Sequence, residues 1–298
     1  MADQSSKDNF ERLLNRMKPT VEQALKRYAW PRSDAPKRLV EAMNYSLKAG
    51  GKRLRPMLVL AACEAVGGEL EQAQPVAAAF EMIHTYSLIH DDLPAMDDDD
   101  LRRGQPTCHK AFDEGTAILA GDAMCTYAFQ AILENVADPA KAVAAGRELA
   151  LAAGLEGMVG GQMADLEGEG KEPSTEELRY IHEHKTGALI TGAVVCGGII
   201  GGASDDELSR LRSYGRSIGL AFQVIDDILD ETATAEQLGK SPGKDSATRK
   251  MTYPVLYGLD GAKKYAEELV SKACGELEGM RDAAALRTIA DYFVDRTH

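Results

Sequence analysis

Two pairs of adjacent aspartates sit inside apolar stretches, Asp91-Asp92 after Leu88-Ile89 and Asp226-Asp227 between Ile225 and Ile228. Burying an unpaired carboxylate is costly. Any fold of this chain must therefore hide the apolar stretches and still bring cations to the aspartates. Asp226 and Asp230 are four apart and share one helix face, with Asp227 beside them. Around the first pair, six aspartates fall between Asp91 and Asp100, and Arg102 and Arg103 follow. A run such as Asp97 to Asp100 taken alone reads as a solvated acidic face. The apolar surroundings of Asp91, Asp92, Asp226 and Asp227 argue against that reading for the whole set. A calcium loop of the EF-hand kind is excluded, because no D-x-D-x-D-G pattern with a closing Glu is present.

Carboxylate oxygens suit hard divalent cations, and Mg2+ keeps waters while taking one or two carboxylates plus substrate phosphates. Arginine grips phosphate in a fork. The pattern therefore reads as a metal-bridged phosphate site. Two aspartate clusters, each on an apolar helix, could face each other across a cavity and hold several metal ions around one diphosphate.

The net charge is -13, from 34 Lys+Arg against 47 Asp+Glu over 298 residues. An acidic chain is a poor nucleic-acid binder, so no nucleic-acid partner is expected. The cations must instead be concentrated locally, as in Lys52-Arg-Leu-Arg-Pro56. Five cysteines, an odd number without C-x-x-C spacing, fit neither a disulfide framework nor a zinc site and suit a reducing compartment. Met1 to Asn15 lacks the apolar core of a signal peptide. The most apolar stretch, Leu189 to Ala203, is short and glycine-rich for a membrane span. The expectation is a cytoplasmic protein with no membrane partner, folded as one domain over residues 1–298.

No strand alternation recurs, and helix-period stretches follow one another with short breaks. The expected fold is all-α around one central cavity. Asn9 to Ala29 and Leu39 to Leu47 read as helices, with Gly50-Gly51 ending the second. Met57 to Val66 and Gln72 to His90 read as buried helices. In the latter, His84, Ser87 and Asp91 share a face, while His90 is off it and reads as structural. Asp97 is out of phase with Asp91 and joins it only if the chain bends at Pro94-Ala95. Phe112 to Leu133 and a long Lys141 to Met163 follow, and Gln162 and Asp165 could line the pocket. Ser174-Thr-Glu-Glu177 and Ser204-Asp-Asp-Glu207 are capping boxes. Lys185-Thr186-Gly187 interrupts a helix with groups that suit a diphosphate oxygen. His182 and His184, two apart, cannot share a helix face. Asp230 to Tyr253 breaks the pattern and carries Lys240, Lys244, Arg249 and Lys250. Such a long connection is a lid or disordered. Pro254 to Leu277 and Asp282 to Asp295 read as the last helices, and Arg296 is near the end.

These residues resemble the trans-prenyltransferase (short-chain isoprenyl diphosphate synthase) family, in its bacterial farnesyl diphosphate synthase branch. The family motif Asp-Asp-x-x-x-x-Asp is matched by Asp91, Asp92 and Asp97, and Asp-Asp-x-x-Asp by Asp226, Asp227 and Asp230. Gly-Gly-Lys-Arg-x-Arg-Pro is matched in full at Gly50 to Pro56. The resemblance implies an isoprenoid-synthase-type helical bundle paired as a homodimer, acting on small isoprenyl diphosphates. It implies three Mg2+ ions per site, with Mn2+ as substitute. All six motif aspartates would hold metal. Catalysis would rest on Asp91, Asp92, Asp97, Asp226, Asp227 and Lys185. Lys52, Arg55, His84 and Arg103 would take isopentenyl diphosphate. Arg102, Lys185, Thr186, Gln223 and Lys240 would take the allylic diphosphate.

The implied reaction is head-to-tail condensation: the allylic C–O bond ionises, the isopentenyl double bond attacks, and a proton is lost. No side chain stands out as general base. Tyr86, about 7 Å along the helix from Asp91, would floor the cavity, and Ser87 would leave room beyond ten carbons. In the family an aromatic five before the first Asp, with the Pro94-Ala95 insertion, goes with a fifteen-carbon product. A geranylgeranyl or geranyl diphosphate synthase is the nearest alternative. A terpene cyclase would not need Lys52, Arg55, His84 and Arg103, and a non-catalytic partner subunit would have lost an aspartate motif.

Overall fold

Stretches that are apolar all round must be interior helices, and those with one apolar stripe must be peripheral. A computed structural model of the chain, which describes residues 2–29, 35–168, 174–232 and 252–295, is built that way. The helices are α1 Ala2–Tyr28, α2 Lys37–Lys48, α3 Leu54–Ala65, α4 Leu70–Asp91, α5 Cys108–Ala111, α6 Glu114–Asn135 and α7 Pro139–Ala153. They continue as α8 Met158–Gly168, α9 Thr175–Ile181, a π-helical turn His182–Gly187, α10 Ala188–Gly201, α11 Asp205–Thr232, α12 Tyr253–Glu276 and α13 Ala284–Asp295. The all-α expectation holds. Among the described residues the one addition is a hairpin of two-residue strands, β1 Leu101–Arg102 antiparallel to β2 Gln105–Pro106.

Helices α4 and α10 lie at the centre. α4 packs against α1, α3, α6 and α10, and α10 packs against α3, α7 and α11. Phe80, Met82 and Ile83 of α4 and Leu189, Ile190 and Val194 of α10 are fully buried. The stretch Leu189 to Ala203 is thus a core helix and its cap. Peripheral α1 contributes one stripe, Phe10, Leu13, Met17, Val21 and Leu25, at helical spacing. Among the described residues one helix, α6, is long and apolar enough to cross a membrane by composition alone. It leaves Ile118, Leu119 and Leu133 exposed.

The element ends follow local chemistry. Ser174 accepts from the Glu177 amide while the Glu177 carboxylate accepts from the Ser174 amide, a complete capping box. Ser204 and Glu207 repeat the exchange. Asp113 and Asp138 cap α6 and α7. The expected single helix from Lys141 to Met163 is instead two, α7 and α8, divided at Gly154–Gly157. Both glycines are poor helix formers, and the apolar spacing that runs across them carries no sign of the break. Likewise Phe112 precedes the cap of α6 and lies outside it.

Candidate active site

The first aspartate cluster is shaped by the end of α4. Asp91 closes the helix, Asp92 is its C-cap, and Pro94 prevents continuation. The chain then folds back. The Asp97 amide donates to the Asp91 carbonyl at 2.9 Å, Asp98 to Leu93 at 3.1 Å and Asp99 to Asp92 at 3.2 Å. The bend at Pro94-Ala95 thereby returns Asp97 to Asp91, as the sequence required. Burial and the charge of Asp97 push Asp91 up to about 6, from an ordinary 3.8. The buried Asp92 is paired: Arg102 Nε donates to its Oδ1 at 2.7 Å. Arg102 reaches it from the β1–β2 hairpin, whose turn residues Arg103 and Gly104 both have positive φ, as a two-residue hairpin turn of right-handed twist requires.

The second cluster is on α11. Asp227 is buried and accepts from the Tyr253 amide at 3.1 Å and from Gln223 Nε2 at 3.4 Å. Burial pushes it up to about 6. Gln223 Oε1 in turn accepts from Thr186 Oγ1 at 3.1 Å. Thr186 and Lys185 are in the π-helical turn, so the interruption expected at Lys185-Thr186-Gly187 is real. A π turn carries one extra residue, which projects side chains that an α-helix would keep in line.

Lys185 lies beside the first cluster. Its Nζ donates to Asp165 Oδ2 at 2.7 Å. Burial pulls its pKa down, but the charge of Asp165, the hydrogen bond to it, and the charges of Asp91 and Asp97 carry it above the ordinary value. From α8, Gln162 Nε2 donates to Asp91 Oδ1 at 2.9 Å. Gln162 and Asp165 are therefore bonded to two of the candidate site residues, and their signal in the sequence was a polar pair three apart in an apolar helix. The close approach is permitted by Gly161, where a Cβ would lie 2.1 Å from the Lys185 amide nitrogen.

A basic region adjoins the first cluster. Arg55 Nε is buried with no hydrogen-bond partner among the described residues. Burial lowers the pKa of Arg55, whose neighbouring charges include Glu81, Asp226 and Arg103. His84 is held well below its usual range by burial and by Arg55, Arg103, Arg102 and Arg53, so it is neutral at neutral pH. Arg103 is exposed, with its guanidinium against Gly51. Glu81, His84, Asp92, Arg102 and Arg103 line one cavity. Lys52 lies farther out, its Nζ 5.6 Å from the Tyr292 ring centre.

Tyr86 is 9% exposed on α4 and interacts with the Cys125 thiol of α6. Its ring meets the His90 ring edge-on at 5.8 Å, and His90 Nε2 contacts the Ile118 carbonyl at 3.0 Å. His90 is thus a packing residue, as read. Ser87 Oγ donates to the His84 carbonyl. Buried His182 packs on Tyr253, and His184 stacks on Tyr180, so the two histidines diverge. Lys240, Lys244, Arg249, Lys250 and Arg296 lie outside the described residues.

Among the described residues no three His, Cys, Asp or Glu side chains converge into a metal cage. The donor set is all carboxylate oxygen, and Asp91 and Asp227 carry pKa values raised by burial, a strain that a cation relieves.

The Polyprenyl synthetase family model matches residues 36–291, which include both aspartate clusters. A farnesyl diphosphate synthase of Geobacillus stearothermophilus is 49% identical over 97% of this chain and 99% of its own length. A chloroplastic geranylgeranyl pyrophosphate synthase of Capsicum annuum is 54% identical over 86% of this chain and 71% of its own. The solved structure of an FPP/GFPP synthase from Zymomonas mobilis superposes with a TM-score of 0.82 at 40% identity, covering 93% and 99% of the two chains. With sequence and fold both shared nearly end to end, the chain belongs to the polyprenyl synthetase family.

Proposed function

We propose that this single-domain prenyl diphosphate synthase condenses isopentenyl diphosphate with dimethylallyl and then geranyl diphosphate, giving farnesyl diphosphate. The observation that carries the reading is the juxtaposition of two unlike charge sets. Asp91 and Asp227 are acidic groups whose burial disfavours the charged form, and Arg55, His84 and Arg103 form a basic region in which the buried Arg55 Nε has no partner among the described residues. A diphosphate with its cations complements both at once.

Asp91, Asp92 and Asp97 on one side and Asp226, Asp227 and Asp230 on the other hold Mg2+ in this reading. When bound, Mg2+ supplies neutralisation of the diphosphate charge, which makes it a leaving group. Thr186 is already hydrogen-bonded to Gln223 with Lys185 beside it in the chain, and the three grip the departing allylic diphosphate. Arg102, fixed by Asp92, faces the same anion. Lys52, Arg55, His84 and Arg103 orient isopentenyl diphosphate so that its double bond meets the allylic carbon. The apolar walls keep water from the carbocation. In this reading the proton leaves to the released diphosphate.

Tyr86 closes the end of the cavity and is held there by Cys125 and His90, which favours fifteen carbons. Relatives named as geranylgeranyl synthases support a second reading, a twenty-carbon product. Incubation with Mg2+, dimethylallyl diphosphate and labelled isopentenyl diphosphate, followed by sizing of the dephosphorylated products, separates the two. Farnesol is expected, and Tyr86→Ala is expected to shift the products to longer chains. Unchanged farnesol from that variant would sink the floor.

The exposed apolar residues of α6, α8 and the turn before α8, among them Leu119, Leu133, Leu155 and Val159, support a homodimer. Light scattering that returned the mass of one chain would overturn the pairing. The five cysteines are free, which supports a cytoplasmic location. Fluorescence of a tagged copy confined to the cell envelope would contradict it.

A further inference from the structure

One buried carboxylate is bonded to one arginine and acts on two others. Glu81 of α4 is 3% exposed, and Arg53 is 7% exposed. Arg53 Nη1 donates to Glu81 Oε1 at 2.6 Å, its Nη2 to the Leu47 carbonyl at 2.6 Å, and its Nε to Glu22 Oε1 at 3.4 Å. These bonds tie the turn before α3 to α1, α2 and α4. They also hold Arg53 at φ +50°, where a residue with a side chain is uncommon. Glu81 lines the same cavity as Arg103 and His84. Its charge is felt by both Arg55 and Arg103.

A buried carboxylate does not stay unpaired, because an uncompensated charge in the interior is strongly disfavoured. If Arg53 were missing, Arg103, which lines the same cavity, and Arg55, which feels the same charge, would be the guanidiniums that Glu81 draws on. A diphosphate would then have to displace Glu81 before binding.

We propose that Arg53 is a positioning residue that keeps Glu81 occupied, leaving Arg55 and Arg103 available to isopentenyl diphosphate. The inference rests on the placement of that substrate given under Proposed function. It assigns Arg53 no contact with substrate. The middle cation of Lys52-Arg53-Leu54-Arg55 serves its neighbours by pairing elsewhere.

The test is a double-mutant cycle read as KM for each substrate. Arg53→Met should raise KM for isopentenyl diphosphate about tenfold, with KM for the allylic substrate unchanged. Adding Glu81→Gln to it removes the competitor and should recover most of that loss. A double variant as impaired as Arg53→Met, or a single variant with unchanged KM, would overturn the proposal. A role only in holding the turn predicts no recovery. Arg53→Lys keeps a charge beside Glu81 and is the variant to use if Arg53→Met does not fold. It should lose about threefold or less, and a tenfold loss there would assign Arg53 to shaping the turn instead. Wild-type protein that does not condense isopentenyl diphosphate refutes the proposed function. Wild-type protein that does, with an unaffected Arg53→Met, refutes only the role of Arg53.

Discussion

Gln162 donates to Asp91 at 2.9 Å and fixes which carboxylate oxygen remains for a cation. Outer partners of this kind typically change metal affinity 10- to 100-fold when removed. Gln162→Ala is expected to raise the Mg2+ concentration needed for half-maximal rate by about tenfold, with little change at saturating Mg2+. An unchanged Mg2+ titration would remove Gln162 from the site. Arg102 shows how a residue can be visible in the sequence while its partner is not. Its position after the aspartate run marked it for an anion, yet in the fold it is bonded to Asp92. The pairing depends on the β1–β2 hairpin turning the chain back, and two-residue strands have too little sequence to carry a period.

At the scale of elements, the π-helical turn His182–Gly187 sets the geometry between the clusters. It packs against α8 at Gly161, where even a methyl group has no room. Gly161→Ala is expected to destabilise by roughly 1–3 kcal/mol, as overpacking does, and to lower activity through displacement of Lys185. Ser174→Ala, which removes an exposed cap on the neighbouring α9, should cost about 1 kcal/mol and leave turnover intact. Thermal melts beside initial rates distinguish them, and equal effects on activity would show that the turn is not rigidly coupled to the site. The cap of α9 was legible because a capping box is a four-residue pattern. The split of α7 from α8 was not, because the apolar spacing continues through Gly154–Gly157.

For the whole molecule, pH reports whether the two clusters act together. Burial raises Asp91 and Asp227 to about 6 in the folded state from 3.8. The folded form therefore binds more protons than the unfolded form between those values. The stability these two groups confer is full below about 3.8 and is lost as pH rises through about 6. A cation with diphosphate needs both ionised, so the rise in Tm on adding Mg2+ and inorganic diphosphate should be larger at pH 8 than at pH 5.5. An equal rise would mean that neither carboxylate meets the ligand. The aspartate clusters, the Gly50 to Pro56 cation turn, the helical periods and the bend required at Pro94-Ala95 were determined by the sequence alone, since each is a local pattern of charge, spacing or backbone restriction. The tertiary structure decided which groups meet. It joined Lys185 to Asp165, Gln162 to Asp91, Tyr86 to Cys125 and Arg53 to Glu81 across 20 to 71 positions of chain. Nothing local encodes such pairings, because they depend on the close packing of helices that no single stretch contains.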